Sequence, residues 1–267
     1  MIQRATGLLR ATEAQRGAVR LYGVGAMPDD PALSYPIQQD IARLIDQEST
    51  PACAGCTGVE VVEAVLGVPP NLSWVRLWTD ARRRDGNITR YGYGTYFTSV
   101  IDSLVNRGLD VEEPGERNRV EEFTQPDDLD SEMNAADRRQ FNTERWRLPD
   151  GDLDTLDAAL SRGLGVGIAT GVKDPYFKFF STARSPAQAD VVLGTAALGG
   201  DTNGHEQRIV AVEKTSSGRV YTIQNSWGLF GGCHLPDGTF RHGLARVSEA
   251  VLINAWDVDC IRIQKRV

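Results

Sequence analysis

The 267-residue sequence has few cysteines and no long apolar run. Its four cysteines are too few for a fold of this length that is built from disulfides. No segment approaches the roughly 18 apolar residues of a membrane-spanning helix, and residues 1–23 hold no apolar run of signal-peptide length. These absences predict a cytoplasmic protein with no membrane partner, but a protein exported without a cleaved signal would have the same features.

Basic residues are also in deficit. The chain has 29 lysines and arginines against 36 aspartates and glutamates, a net charge of -7 and a pI near 5.1. This balance argues against nucleic acid as a partner, because such proteins attract the phosphate backbone with excess positive charge. Hydrophobic residues make up 41% and charged residues 24%, which is typical of a folded soluble chain with a sizeable core.

Apolar periodicity divides the chain into a helical first half and a β-rich second half. Four helices are expected, at 51–66, 72–84, 96–107 and 154–162. Short β-branched runs predict strands at 166–169, 191–193, 209–212, 220–224 and 244–247. This order is typical of an α+β protein with two lobes, and such proteins commonly keep their site in the cleft between the lobes.

The same patterns predict three regions along the chain. Residues 1–34 form an N-terminal arm and a proline-punctuated lead-in. A mainly helical lobe over 35–150 includes an excursion at 112–150 that is dense in both charge signs and interrupted by prolines. A mainly β lobe follows over 151–267.

The start of the first long helix carries the first chemical signal. Thr50 is a suitable N-cap and Pro51 suits the first helical position, which places Cys53 in the first turn. Unpaired backbone N–H groups and the helix dipole favour an anion there, and a thiolate is such an anion. Cys53 is therefore a candidate nucleophile, whereas the common role of a lone cysteine is that of a small core residue.

Two further signals lie in the β half. His205 follows a glycine and opens the strand that includes 209–212, and it is the only histidine between Cys53 and Asn225. Asn225 ends the next strand in the run Asn225-Ser226-Trp227-Gly228. A cysteine nucleophile needs a base, the base needs a group that orients it, and the reaction needs donors for an oxyanion. Cys53, His205, Asn225 and Gln47 supply these four chemistries, although each of the last three also has a plain structural reading as a strand-edge, turn-capping or surface residue.

These segments resemble those of the papain-like cysteine peptidases, in the compact form found in bacterial and phage genomes. Gln47 precedes Cys53 by six residues, as the oxyanion glutamine of the family precedes its nucleophile. Gly204-His205 resembles the segment in which the catalytic histidine opens a buried strand, and Asn225-Ser226-Trp227-Gly228 resembles the strand end that carries the orienting asparagine. The resemblance runs from about residue 35 to 261.

The resemblance implies a fold, an activity and a set of roles. The fold would have a helical left lobe, an antiparallel β-barrel-like right lobe and an active site between them. Cys53 would attack a peptide bond and form an acyl-enzyme thioester, with His205 as base, Asn225 as its orienting group and Gln47 in the oxyanion hole. Trp227 would shield the His205–Asn225 hydrogen bond. No cofactor is expected, and the partner would be a protein or peptide bound in extended form.

Glycine-rich sequence near the helical lobe suggests where that substrate lies. Tyr91-Gly92-Tyr93-Gly94 is a candidate cleft wall together with Gly204 and Trp227, because glycines let backbone approach a bound strand. The alternative is a plain surface turn. Only 46 residues precede Gln47, so we expect no long pro-segment; the enzyme is either active as made or blocked by a short N-terminal arm.

Other interpretations stay open at this point. Cys56 is a second candidate nucleophile, but Gln47 would then lie nine residues upstream, and a buried apolar thiol is the alternative for Cys56. A zinc site made of Cys53, Cys56, Cys233 and His234 is weaker, because the last two are adjacent. An inactive papain-like binding module is an alternative, although the presence of all four chemistries argues against it, and a thiol acyltransferase or deamidase would use the same residues. The sequence does not predict an oligomeric state.

Overall fold

The computed structural model describes residues 8–10, 33–41, 43–67, 72–86, 94–109, 111–112, 141–189 and 191–265. Most of the expected N-terminal arm and the greater part of the charged excursion lie outside these residues. Tyr91, Gly92 and Tyr93 of the candidate cleft wall lie outside them as well.

Three helices form the first lobe: α1 (Cys53–Leu66), α2 (Trp74–Arg84) and α3 (Phe97–Arg107). They pack against one another around an apolar cluster that includes Trp74, Trp78 and Leu104. The sequence predicted all three helices, with starts within about two residues. None of the helices in the described parts of the chain is both long and apolar enough to cross a membrane.

The start of α1 differs from the expected one. Its N-cap is Ala52, which has no side chain for capping, and Thr50 is not the cap. The reason is a turn ahead of the helix: the Thr50 backbone N–H donates to the Gln47 carbonyl at 2.9 Å, and the Ala52 N–H donates to the Thr50 carbonyl at 2.8 Å. These bonds hold Thr50 outside the helix, so that Cys53 becomes its first residue.

The second lobe is built on one large sheet. Its strands are β1 (Ile37–Gln38), β2 (Phe141–Arg147), β3 (Gly165–Gly171), β4 (Val192–Leu193), β5 (Gly204–Thr215), β6 (Gly218–Gln224), β9 (Leu244–Ser248) and β10 (Asp257–Lys265). Their order is β2-β10-β3-β5-β6-β9-β4, with β1 beside β5, and every pair except β4–β9 is antiparallel. A separate hairpin joins β7 (Cys233–His234) to β8 (Phe240–Arg241).

The large sheet is open. Its path ends at β2 on one side and at β4 on the other, so the described strands do not close into a barrel. The α+β class and the two-lobe architecture are confirmed. The second lobe was expected to be barrel-like, but its described strands form a large, mostly antiparallel sheet that stays open.

Three short helices cover the sheet: α4 (Leu153–Ser161), α5 (Asp174–Phe179) and α6 (Glu249–Ile253). The carboxylate of Asp152 caps α4 by accepting from the Thr155 backbone N–H at 3.0 Å. The sequence predicted α4 but neither α5 nor α6, because each has six residues or fewer and therefore shows little apolar periodicity.

The expected charged excursion is shorter than 112–150. Residues 141–147 form β2, which pairs with β10 over its whole length. Its charges have partners across the strand pair: Arg145 binds Asp259 through two hydrogen bonds, at 3.0 and 2.8 Å, and Arg262 contacts Glu144 at 3.2 Å. These residues therefore belong to the sheet of the second lobe, although the sequence prediction grouped them with the first.

The two lobes meet where α1 packs against β3, β5 and β10. The approach is close, because a side chain at Gly165 of β3 would overlap Val61 of α1. This interface also buries charge: Glu60 of α1 and Arg208 of β5 are both fully buried. Burial raises the pKa of Glu60 well above its usual range, while the positive charge of Arg208 opposes that shift. The helix that begins at Cys53 is thereby held against the strand that begins beside His205.

Candidate active site

Cys53 lies at the N-terminus of α1 and is fully buried. The first backbone N–H groups of a helix have no partner within it, and they favour a negative charge on a side chain in the first turn. Cys56 lies one turn further on and is also fully buried, and its backbone N–H already donates to the Ala52 carbonyl at 3.0 Å. Of the two thiols, Cys53 is therefore the one at the positive end of the helix.

His205 and Asn225 form a buried hydrogen bond. Nε2 of His205 lies 2.7 Å from Oδ1 of Asn225, and both side chains are fully buried. An amide oxygen only accepts, so Nε2 carries the hydrogen and Nδ1 of the neutral ring is left as a base. Nδ1 has no hydrogen-bond partner among the described residues. The asparagine thus selects the tautomer that can take a proton from a thiol.

Trp227 covers this pair. Its ring lies 4.9 Å from the imidazole of His205 between centroids, tilted by 31°. The ring of Phe177 stacks on Trp227, with the centroids 5.6 Å apart and 17° between the ring planes. Exclusion of water strengthens the hydrogen bond between His205 and Asn225, because the local dielectric constant is low.

Burial has a cost for the charged form of the histidine. Burial lowers the pKa of His205 to about 4, and the hydrogen bond to Asn225 acts in the opposite direction. An imidazolium at this position therefore needs a negative partner, and a thiolate at Cys53 is the group whose chemistry would supply one.

Gln47 is joined to the strand end that carries Asn225. Its backbone N–H donates to the Ser226 carbonyl at 2.9 Å, and the Ser226 hydroxyl donates to its Oε1. Its Nε2 donates to the Thr50 carbonyl at 2.7 Å. The loop ahead of Cys53 is thereby attached to the Asn225-Ser226-Trp227 segment, and the orientation of the Gln47 amide is set on both sides. The role of Ser226 was missed at the sequence level, although it lies inside a segment that was singled out.

Tyr176 contacts both halves of the site. Its ring centroid lies 6.0 Å from that of the His205 imidazole and 5.5 Å from that of Trp227, in an edge-type arrangement with each. Burial raises the pKa of its phenol well above the usual range, and negative charge at Cys53 raises it further. Tyr176 therefore belongs to the buried surroundings of His205. The sequence gave no signal for Tyr176, because it is on the short helix α5.

Residues 8–10 bind backbone at Gly204, directly before His205, and at Thr95 of the helical lobe. The Leu8 backbone N–H donates to the Gly204 carbonyl at 3.1 Å, and the Leu9 N–H donates to the Thr95 carbonyl at 3.1 Å. The Leu8 side chain is buried, and Arg10 pairs with Asp201 at 2.6 Å. A side chain at Gly204 would overlap the Leu8 carbonyl, so glycine is required for this close approach. An extended segment can therefore pair with backbone on both sides of the cleft.

The helical side of that cleft is held by Asp85. Its carboxylate accepts from the hydroxyls of Thr95 and Ser99 and from the Tyr96 backbone N–H at 3.2 Å. This places Thr95 where Leu9 reaches it. Of the four residues predicted to form this wall, Gly94 alone is described, and it lies directly before Thr95.

A large cavity lies elsewhere. Its volume is about 880 Å³, and its lining includes Arg43, Glu63, Leu229 and His242 at the far end of α1 and beside the β7–β8 hairpin. None of the candidate catalytic residues lines it. A much smaller space, about 10 Å³, is lined by Leu8, Leu9 and Arg10 together with residues such as Glu206 and Trp256.

The four cysteines do not assemble into one group. Cys53 and Cys56 belong to the apolar cluster of the first lobe, whereas Cys233 belongs to a small cluster beside the hairpin. Within the described residues, no three histidine, cysteine, aspartate or glutamate side chains are placed to hold a metal ion. The structure therefore does not bring together the four ligands of the zinc interpretation.

A helical lobe whose first helix begins with a cysteine, packed on a sheet that carries a histidine–asparagine pair, defines the fold of the papain-like cysteine proteases. Xylellain, a cysteine protease from Xylella fastidiosa, matches with a TM-score of 0.66 at 16% identity, over 100% of this chain and 99% of that chain. The predicted papain-like fold is confirmed.

Two further solved structures give the same result. Procathepsin B S9 from Trypanosoma congolense matches with a TM-score of 0.63 at 12% identity, over 99% of this chain and 87% of that chain. Digestive procathepsin L 3 from the Tenebrio molitor larval midgut matches with a TM-score of 0.56 at 16% identity, over 87% and 71%. No protein-family model and no curated protein matches the sequence.

Proposed function

We propose that this protein is a thiol peptidase that hydrolyses peptide bonds with Cys53, His205 and Asn225. The observation that carries the proposal is the buried 2.7 Å pair of His205 and Asn225, which leaves Nδ1 of the imidazole as a base near the helix start at Cys53. The papain-like fold supports the same chemistry. Gln47, held by Ser226 and Thr50, adds a side-chain amide in the turn that leads into the Cys53 helix.

The reaction would proceed in two stages. Nδ1 of His205 takes the thiol proton, and Sγ of Cys53 attacks the substrate carbonyl carbon to form a C–S bond. The Gln47 amide and the Cys53 backbone N–H stabilise the oxyanion. The C–N bond then breaks, and His205 returns its proton to the leaving amine. Water attacks the thioester with His205 again as base, which releases the acid product and restores the thiol.

The substrate class follows from how residues 8–10 bind. Carbonyls of Gly204 and Thr95 accept backbone N–H groups from an extended segment, which is how a peptide strand is recognised. A protein or peptide substrate in extended form would use the same two carbonyls. Residues 8–10 would then have to leave before the substrate binds.

The proposal is tested by labelling with an epoxide inactivator of thiol peptidases at neutral pH. Intact mass and peptide mapping on the wild type are expected to show one modification, at Cys53. Cys53→Ala should remove it and Cys56→Ala should retain it, since Cys56 lies within the helix. Labelling at Cys56 would reverse the assignment of the nucleophile, and a folded but unlabelled wild type would favour an inert binding module.

Residues 8–10 give a second prediction. Leu8→Asp places a charge in a buried apolar contact and should free the cleft, because burying a leucine stabilises by about 1.5–3 kcal/mol. The epoxide should then label Cys53 on the order of tenfold faster, if residues 8–10 block the cleft in most molecules. Val105→Asp, on the exposed face of α3, is the matched control and should leave the rate unchanged. Equal rates for Leu8→Asp and the wild type would mean that the segment does not obstruct the thiol.

A further inference from the structure

A chain of buried hydrogen bonds runs beside the catalytic histidine. The Tyr176 hydroxyl donates to Oε1 of Gln207 at 2.7 Å, and Nε2 of Gln207 donates to the Thr170 hydroxyl at 3.4 Å. All three side chains are fully buried. A buried core tyrosine needs one partner for its hydroxyl, so the bond from Tyr176 to Gln207 alone would indicate no more than a structural role.

The position of this chain relative to His205 is what gives it meaning. Gln207 is two residues beyond His205 on β5, and alternate residues of a strand share a face. Thr170 is the residue of β3 that lies directly opposite His205 in the strand register. The hydrogen bonds therefore join β5, the strand that carries the histidine, and its neighbour β3 to helix α5.

The ring of Tyr176 completes the connection. Its hydroxyl is fixed by Gln207, and its ring centroid lies 6.0 Å from that of the imidazole, with an angle of 68° between the two ring planes. Trp227 bounds the same imidazole on another side, at 4.9 Å. The Tyr176 and Trp227 rings also contact each other, at 5.5 Å between centroids, so the imidazole packs against a joined pair of rings and cannot turn toward them without displacing a ring that Gln207 anchors.

We propose that Tyr176 and Gln207 are positioning residues that hold the imidazole of His205 in the orientation in which it serves Cys53. Tyr176 does not touch the reacting atoms, and it acts through the imidazole. The inference rests on the proposed peptidase function, since it concerns the orientation of the base in that reaction. It assigns a role to the phenol hydroxyl that a purely apolar packing residue would not have.

The test removes the hydroxyl and keeps the ring. In Tyr176→Phe, kcat/KM toward a peptide substrate should fall on the order of tenfold through kcat with KM unchanged, because a misoriented base slows chemistry more than binding. The acid limb of the pH profile should move upward, because a looser imidazolium stabilises the Cys53 thiolate less well.

Gln207→Met removes the same hydrogen bond from the side of its acceptor. It keeps the length of the side chain and removes the amide, so it should reproduce the effect of Tyr176→Phe. If the two residues act as one unit, the double variant should be no worse than the more impaired single variant. Additive losses would overturn the shared role of the pair.

Tyr221→Phe is the matched control. Its hydroxyl is also buried in the second lobe, where it donates to Asp157 at 2.8 Å away from the candidate site. It should lower the thermal unfolding temperature and leave the pH profile of activity at its wild-type position. If Tyr176→Phe behaves like Tyr221→Phe, Tyr176 has a structural role only and the inference is wrong.

The ring resonances of His205 separate this inference from the proposed function. The chain has three histidines, so the imidazole signals can be assigned by NMR with single substitutions. Tyr176→Phe should shift and broaden the His205 signals whether or not any peptide is cleaved, and unchanged signals would overturn the inference. An unlabelled Cys53 in the wild type would instead overturn the peptidase function.

Discussion

Replacing His205 with glutamine is expected to lower kcat/KM on a peptide substrate by roughly 10²–10⁴-fold, the usual contribution of a general base. Glutamine is close to histidine in size and can still donate to Oδ1 of Asn225, so the buried pair is kept in part. It cannot take the thiol proton, because an amide is not a base at neutral pH. The loss should therefore appear in kcat rather than in KM.

His242→Gln is the control for this prediction. That histidine is half-buried beside Phe240, with ring centroids 5.1 Å apart, and it lines the cavity away from the candidate site. The substitution should leave kcat/KM within about twofold of the wild type, as surface substitutions usually do. A wild-type rate in His205→Gln would exclude His205 as the base, and an equal loss in both variants would mean that the effect is not specific to His205.

The second large effect concerns stability in acid. Burial lowers the pKa of His205 to about 4, against an ordinary value of 6.5 that describes the unfolded chain. Between these two values the unfolded chain binds a proton at this residue and the folded chain does not, so the free energy of unfolding falls as pH falls. The difference of about 2.5 pKa units corresponds to about 3 kcal/mol, lost between pH 6.5 and pH 4.

The same fall in the free energy of unfolding between pH 6.5 and pH 4 is expected if the proton of Cys53 already resides on His205. Such an ion pair contains as many protons as the neutral pair, and its next proton is taken up only at the low pKa. The prediction therefore concerns the pair as a unit. It does not depend on which of the two residues holds the shared proton.

Other buried groups change stability in the opposite direction. Burial raises the pKa of Glu60 and of Glu206 well above the usual range, so folding is favoured where these carboxyls are protonated and that contribution is lost as pH rises above 4.5. The wild-type profile alone therefore mixes two opposed effects. The difference between the wild type and His205→Gln cancels the contribution of Glu60 and Glu206.

Urea unfolding at pH 4, 5, 6 and 7 measures this difference. The wild type should lose about 3 kcal/mol relative to His205→Gln as pH falls from 7 to 4. His242→Gln is the matched control and should follow the wild type, because it leaves His205 in place. Parallel curves for the wild type and His205→Gln would mean that the folded histidine titrates near its ordinary pKa.

Much of the fold and the candidate site could be predicted from local sequence. The helix at Cys53, the strand at His205 and the turn at Asn225 each have short-range signals: a proline and small residues before a helix, a β-branched run, and a strand that ends in asparagine and glycine. The site residues stay predictions in their chemical roles. The structure adds the His205–Asn225 distance and the attachment of Gln47 to Ser226.

What could not be predicted depends on partners far along the chain. Strand β2 has the sequence Phe-Asn-Thr-Glu-Arg-Trp-Arg, whose charges indicated an exposed excursion. Those charges are satisfied by β10, more than a hundred residues later, where Asp259 binds Arg145. No signal within β2 shows that this partner exists.

The same reason applies to Tyr176 and to Leu8. Tyr176 matters because Gln207 and His205 lie beside it in the folded chain, and Leu8 because Gly204 and Thr95 bracket it. Each of these pairs is separated by 29 residues or more in the sequence. Short-range patterns therefore point to the candidate reacting groups and miss the groups that contact them in the folded chain.

Because residues 8–10 belong to the same chain as the cleft, their local concentration does not change when the protein is diluted. Any occlusion of Cys53 by Leu8 should therefore give the same labelling rate at every protein concentration, unlike occlusion by a second molecule. A substrate would bind with its intrinsic affinity reduced by the fraction of molecules whose cleft is open. If residues 8–10 occlude the cleft, only substrates that bind tightly enough to displace them would be bound.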